Sequence, residues 1–223
     1  MRAKGDIMRE DVSKKRFIEE TYRLISTEGE GAVSIRRIGR EMNCNTANIY
    51  RYFKDLDELV TYASLRYLAG YLEDVAKCYE ASESTLETYL MVWDCFAGHA
   101  FDHPQLFDKL FFGRHSRQLE EIIQEYYALF PEDMAGIAPA LEEVFTTGSF
   151  DRRDFLMISR CVADGWFTAD EAKYLNTLLI HLFMGFHKEL LDRERTEEEV
   201  RHLRHSFISC VHTTVEHFCR KRP

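Results

Sequence analysis

Apolar residues return every three or four positions along almost the whole chain, and stretches in which Val, Ile and Thr alternate with polar residues are few. That spacing belongs to helices that bury one face, whereas strands alternate with a period of two. An all-α fold is therefore expected. The first helix is expected from about Ser13 to Glu28, burying Phe17, Ile18, Thr21, Tyr22, Leu24 and Ile25. Gly29 and Gly31 end it, because glycine enters left-handed backbone without a Cβ penalty. Ser34 is a suitable N-cap for a second, short helix with Ile35, Ile38 and Met42 turned inward. Asn43-Cys44-Asn45 then interrupts the pattern: Asn43 tolerates the left-handed conformation and Asn45 can cap the next helix. This third helix is expected from about Thr46 to Phe53, with Ala47, Ile49, Tyr50 and Phe53 inward. Asp55 with Glu58 reads as an aspartate variant of the capping box opening a long fourth helix, Leu59 to about Ala76.

Downstream, Ser84 with Glu87 opens a helix reaching about Phe101, and His103-Pro104 opens another, proline being suited to the first helical position. Gly113, Pro131, Gly136 and Gly148 punctuate shorter helices, and Asp151 begins one ending near Gly165. Thr168 with Glu171 and Thr196 with Glu199 are capping boxes. They open two closing helices of about 25 residues, hence roughly 37 Å each.

Ser34 to Phe53 is thus two short helices joined by a tight turn, the spacing of a helix-turn-helix. Such a motif lays the N-terminal residues of its second helix in the DNA major groove. Thr46, Asn48, Arg51 and Tyr52 are expected to face outward. Asn pairs two ways with adenine, Arg with guanine, and Thr meets a thymine methyl. Ser34, Tyr50, Tyr52 and Lys54 suit phosphates, and Arg36 suits either a phosphate or a base. Asn45 completes the set of expected DNA-binding residues. Spacing alone also fits any small three-helix bundle with a polar surface.

The run Ser34-Ile35-Arg36-Arg37-Ile38-Gly39-Arg40-Glu41-Met42-Asn43-Cys44-Asn45, continued by Thr46-Ala47-Asn48-Ile49-Tyr50-Arg51-Tyr52-Phe53, resembles the TetR family (TetR/AcrR) of bacterial transcriptional regulators. Asp57-Glu58-Leu59-Val60 matches that family's entry into its fourth helix, and the resemblance is specific over about residues 12–62. It implies an all-α homodimer with a DNA-binding head and a ligand-responsive C-terminal domain. Three positions depart from the family pattern. Asn43 stands where glycine is usual, Cys44 is the small apolar residue of the turn, and Leu56 replaces a lysine that in the family often meets a phosphate. Lys54 is the residue placed to substitute for it. The expected division is a head over 1–58 and a helical effector-binding and dimerisation domain over 59–223.

Net charge is −9, which at first argues against a nucleic-acid partner. Its distribution does not: residues 1–60 hold twelve Lys and Arg against eleven Asp and Glu, so the acid lies in the remainder. A DNA reader needs positive charge only where phosphates pass. No stretch of 18 apolar residues suggests a membrane span, and residues 1–10 have no apolar signal-peptide core, so a cytoplasmic protein is expected. The six Cys are scattered without a CxxC and read as reduced, packed thiols.

The last two helices carry wide apolar faces: Leu175, Leu178, Leu179, Leu182, Phe183, Phe186 and Leu190 on the first, and Val200, Leu203, Phe207, Cys210, Val211, Thr214 and Phe218 on the second. Their near-heptad spacing suits a four-helix bundle built from two chains, or the sealing of an intramolecular core. The middle helices are rich in aromatic residues. An apolar effector pocket is expected there from Trp93, Phe96, Phe111, Phe112, Tyr126, Phe155, Trp166 and Phe183, with His99 and Asn176 as polar groups. The pairs His99/His103 and His202/His205 have ligand-like spacing but read as capping, solvated or interfacial imidazoles, so neither metal nor cofactor is assigned. The expected function is a ligand-responsive DNA-binding regulator, a repressor released from its double-stranded operator by a small apolar or amphipathic effector. A DNA-binding-deficient relative acting as a protein-interaction module is the alternative. No nucleophile–base motif or phosphate-binding glycine loop points to an enzyme.

Overall fold

The computed structural model describes residues 4–134 and 139–220, with side chains described at 14–134, 142–144 and 146–220. Helices follow one another as α1 (Lys4–Glu28), α2 (Ile35–Glu41), α3 (Thr46–Ile49), α4 (Leu56–Ala81), α5 (Thr85–Asp102), α6 (Pro104–Phe111), α7 (Leu119–Leu129), α8 (Pro139–Thr146), α9 (Phe150–Ala163), α10 (Ala169–Leu191) and α11 (Glu197–Phe218), with short 3-10 turns between some of them. No strand occurs among the described residues. Gly136, expected to punctuate the chain, lies outside them.

The chain divides into two compact units, one of Met1–Ala69 with Asp108–Gly136, the other of Gly70–Phe107 with Ile137–Pro223. The expected functional boundary at residue 58 falls inside the first unit. The reason is visible in its contacts. The first unit buries Phe17, Ile18, Leu24, Ile38, Ile49, Phe53 and Leu59 together with Leu119, Ile122 and Ile123. Lys14 ties α1 to both α4 and α7, its ammonium 2.6 Å from Glu125 and 4.3 Å from the Tyr62 ring centroid. Tyr62 is buried and donates to Glu125; burial, then the carboxylate beside it, push the phenol pKa up. Lys109 reaches Glu30 at 3.0 Å and Asp57 at 3.1 Å.

In the second unit α5 packs on α9 and α11, and α10 packs on α9 and α11. The core is built of rings: Trp93, Phe96, Phe150, Phe183 and Phe207 meet with centroids 4.9–6.5 Å apart. Local chemistry sets the helix starts. Thr168 with Glu171 and Thr196 with Glu199 form the two expected capping boxes, and Ser84 accepts from the Glu87 amide. Two starts differ from expectation. Ser149, not Asp151, caps α9, because its hydroxyl accepts from the Arg152 amide three residues on. At α4, Asp55 accepts from the Glu58 amide at 2.8 Å, but Glu58 returns to the amide of Lys54, one residue further back than a capping box requires.

Candidate nucleic-acid interface

The α2–turn–α3 geometry follows from three residues. Asn43 has φ 49°, in the left-handed region, the one non-glycine residue with positive φ among those described. Around it the Cys44 amide bonds the Gly39 carbonyl at 2.8 Å and the Asn43 amide bonds that of Arg40 at 3.1 Å. These are the two hydrogen bonds of a Schellman motif, which satisfies the last carbonyls of α2 while reversing the chain. Gly39 is fixed by space: a Cβ there would lie 3.1 Å from the Cys44 oxygen and 3.3 Å from the Thr46 methyl. Asn45 then caps α3 by accepting from the Ala47 amide at 2.9 Å, as Ser34 caps α2 by accepting from Arg37.

The inner face of α3 is narrower than its sequence suggests. Ile49 and Phe53 are buried, but Ala47 is exposed and Tyr50 is 57% exposed, so both expected inward placements are corrected. The regular helix ends at Ile49, and the chain continues in helical turns to Phe53, whose amide bonds the Ile49 carbonyl at 3.1 Å. A single regular turn offers the core one narrow stripe, which Ile49 and Phe53, four residues apart, already fill. Tyr52, expected outward, is half-buried, with its ring 5.9 Å from Phe17. Only its hydroxyl edge is left for a phosphate role.

Arg36, Asn48 and Arg51 are exposed and Thr46 is half-exposed. Among the described residues no carboxylate pairs with Arg36 or Arg51. By contrast Arg37 is held 2.6 Å from Glu28 and 3.5 Å from Glu41. Lys54 is exposed but leans on Glu58 at 3.6 Å and Gln118 at 3.3 Å. Leu56, which stands in place of the usual lysine, is half-buried at the start of α4. Two surface concavities flank α3. One is lined by Arg36, Arg40, Asn43, Asn45 and Thr46, the other by Arg16, Asn48, Arg51 and Tyr52. Between Ser34 and Lys54 five cations stand against Glu41 as the single acid, so this face is basic although the chain is acidic. Arg16 and Arg40 were not identified from the sequence. Arg16 lies on α1, far from the motif in sequence, and only folding brings it beside Arg51.

Behind this face, Asp55 anchors the start of α4. Burial pushes its carboxyl up, but the Glu58 amide, His115 at 3.0 Å and Arg114 outweigh that and leave it below the ordinary aspartate range.

Residues 17–63 match the family of bacterial regulatory proteins named for tetR. Residues 17–63 thus form a DNA-binding domain of the TetR family. It is similar to an HTH-type transcriptional regulator of Staphylococcus aureus (strain MRSA252), 25% identical over 134 residues, which span 56% of this chain and 72% of that one. An uncharacterized HTH-type transcriptional regulator of Haemophilus influenzae is 27% identical over 79 residues, 35% of this chain and 42% of its own length. A solved tetR-family regulatory protein from Rhodococcus RHA1 shares the fold at a TM-score of 0.50 and 12% identity, covering 93% of this chain and 98% of its own. The protein is therefore a DNA-binding transcriptional regulator whose DNA-binding domain is of the TetR family. Among the described residues, no helix is long and apolar enough to cross a membrane.

The residues expected to line an effector site fall in both units. Of the residues expected to line one, Trp93, Phe96 and Phe183 are brought into mutual contact and are buried. Asn176 donates to Asp154 at 2.8 Å and to the Asp151 carbonyl at 2.9 Å. His99 lies on the α4–α5 seam, 3.0 Å from Asp74, and Trp166 is half-buried just after α9. Phe155 is 37% exposed. Phe111, Phe112 and Tyr126 belong to the first unit, where Tyr126 stacks on Phe130 and bonds Asp133. The sequence reading missed Asp154. It is 7% exposed, and its carboxylate accepts from Tyr89 at 2.8 Å as well as from Asn176. Burial raises its pKa to about 6, although both donors act to lower it. Its place in Asp151-Arg-Arg-Asp154 reads as a solvated charge run, and only the fold turns it inward.

Proposed function

We propose that this TetR-family regulator is a homodimeric repressor that leaves its operator when a small apolar or amphipathic effector binds. Residues 1–58 serve as the DNA-binding head, and 59–223 bind the effector and dimerise. It acts in the cytoplasm on double-stranded DNA. Arg36, Thr46, Asn48 and Arg51 read base edges, while Ser34, Tyr50, Tyr52 and Lys54 hold phosphates and Asn45 fixes the helix that carries them.

The observation that carries the reading is the exposed, largely unpaired set Arg36, Asn48 and Arg51 on a turn locked by its caps. A second support concerns assembly. Tyr174 is 55% exposed, Leu178 36% and Met184 43%, all on α10. Apolar residues this large on one closing helix favour a second copy as their cover. The effector reading rests on Asp154, Tyr89 and Asn176, a small polar group within an apolar core, which is the usual composition of a small-molecule site.

The test is capture of genomic fragments by the full chain, followed by sequencing, and then release from the recovered operator by a panel of amphipathic compounds. A palindromic site bound by a species of twice 26.3 kDa, and freed by at least one compound, is expected. Failure to enrich any sequence overturns the operator assignment, and tight palindrome binding by a monomer overturns the dimer.

A further inference from the structure

The seam between α4 and α5 carries a cluster that the regulatory reading leaves unused. Asp74 and Cys78 are four residues apart on α4; Cys95 and His99 are four apart on α5. Residues so spaced share one helix face, their Cβ atoms about 5–6 Å apart. Here the two faces meet. A carboxylate oxygen of Asp74, the Cys95 sulfur and a ring nitrogen of His99 all lie within 4.8 Å of one another, and the three residues are half-buried. His99 Nε2 is 3.0 Å from Asp74 Oδ2, and the imidazole is wedged edge-on against the Tyr71 ring at 5.7 Å.

We propose that Asp74, Cys95 and His99 bind a single divalent cation of the zinc class. The donor set selects the ion. A thiolate and an imidazole favour borderline or soft metals, whereas magnesium and calcium take all-oxygen sites. The geometry is close to what is needed. With metal–nitrogen and metal–oxygen bonds of about 2.1 Å and a metal–sulfur bond of about 2.3 Å, the edges of a tetrahedral site are roughly 3.4–3.6 Å. His99 and Asp74 are 3.0 Å apart and none of the three separations exceeds 4.8 Å, so side-chain movement on the order of an ångström closes the site. Half-exposed side chains have room for that. Asp74 is already positioned for it: Lys77 Nζ holds the other carboxylate oxygen, Oδ1, at 2.6 Å, leaving Oδ2 to turn toward the ion.

Three protein ligands leave one position open for water. The site is separate from the DNA-reading face and from Asp154, and it does not depend on either assignment.

The experiment uses the full, reduced, metal-free chain titrated anaerobically with Co(II) alone. A near-ultraviolet sulfur-to-cobalt charge-transfer band with intense visible bands of tetrahedral cobalt is expected. It should saturate at one ion per chain and bleach on adding one equivalent of Zn(II). Cys95→Ser should abolish the charge-transfer band. His99→Gln and Asp74→Asn should weaken binding by roughly 100-fold, since even groups that only orient a metal ligand are worth 10–100-fold. Cys210→Ser, on the exposed face of α11, should change nothing. Far-ultraviolet circular dichroism confirms that each variant folds. Absence of the sulfur band in the unaltered protein at large cobalt excess overturns the proposal whatever the variants do. So does a band that survives Cys95→Ser, or one lost in Cys210→Ser. Metal taken up without a sulfur band would place it at histidines such as His202 and His205 instead, and equally overturns the site.

Discussion

Asp154→Asn tests the most unusual group in the second unit. Asp154 is buried, and its carboxylate is held by the neutral donors Tyr89 and Asn176. Burial raises its pKa from an ordinary 3.8 to about 6. A carboxyl whose folded pKa is raised favours the folded state when protonated. Its contribution is complete below the unfolded pKa and is lost as pH rises through the folded one. A shift of about 2 units at ~1.36 kcal/mol each makes that loss about 3 kcal/mol above pH 7. An amide fills the same space without ever carrying charge, its oxygen accepting from Asn176 and its nitrogen donating to the Tyr89 oxygen. Urea unfolding of both proteins from pH 4 to pH 8 should give nearly equal stabilities at the acid end. The variant should lead by about 0.5 kcal/mol at pH 4 and about 3 kcal/mol above pH 7. Taking the difference cancels the carboxylates the two proteins share, and one protein concentration throughout keeps any dimer linkage constant. A difference that stays flat with pH, or a variant weaker than wild type at pH 8, would refute the reasoning.

Asn48→Ala should cost about 1–3 kcal/mol at one operator position and relax specificity there, with non-specific affinity unchanged because no charge is removed. Selection on randomised operators, run beside wild type, checks it, and identical base preferences move the reading role to Arg36, Thr46 or Arg51. Lys54→Ala should lower the slope of log affinity against log salt by about 1. An unchanged slope means that Glu58 and Gln118 keep this ammonium off the phosphate. Leu178→Glu, at a position already 36% exposed, should leave the fold intact and shift sedimentation from twice 26.3 kDa toward the single chain, with weaker operator binding. Persistence of the dimer would exclude that face of α10.

Much of this protein is written locally. The pairs Thr168/Glu171 and Thr196/Glu199 and Ser84 before Glu87 satisfy backbone groups within one turn, and Pro104 removes one orphan donor at a helix start, so the sequence by itself determines where those helices begin. Asn43 likewise declares its left-handed turn, because few other side chains tolerate that backbone. Periodicity was less informative at α3, where a single regular turn does not reveal how wide a face the core will accept. Tyr50 therefore turned out while Tyr52 turned partly in. What only the tertiary structure decided are the meetings between residues distant along the chain. Arg16 joins Arg51 beside the recognition turn, Asp154 is turned inward toward Tyr89 and Asn176, and Asp74 is set against Cys95 and His99. A capping bond is fixed by three consecutive peptide units, but a burial or a ligand cluster depends on which helix face packs against which. That choice is made by the summed apolar area of many residues, and no single spacing along the chain encodes it.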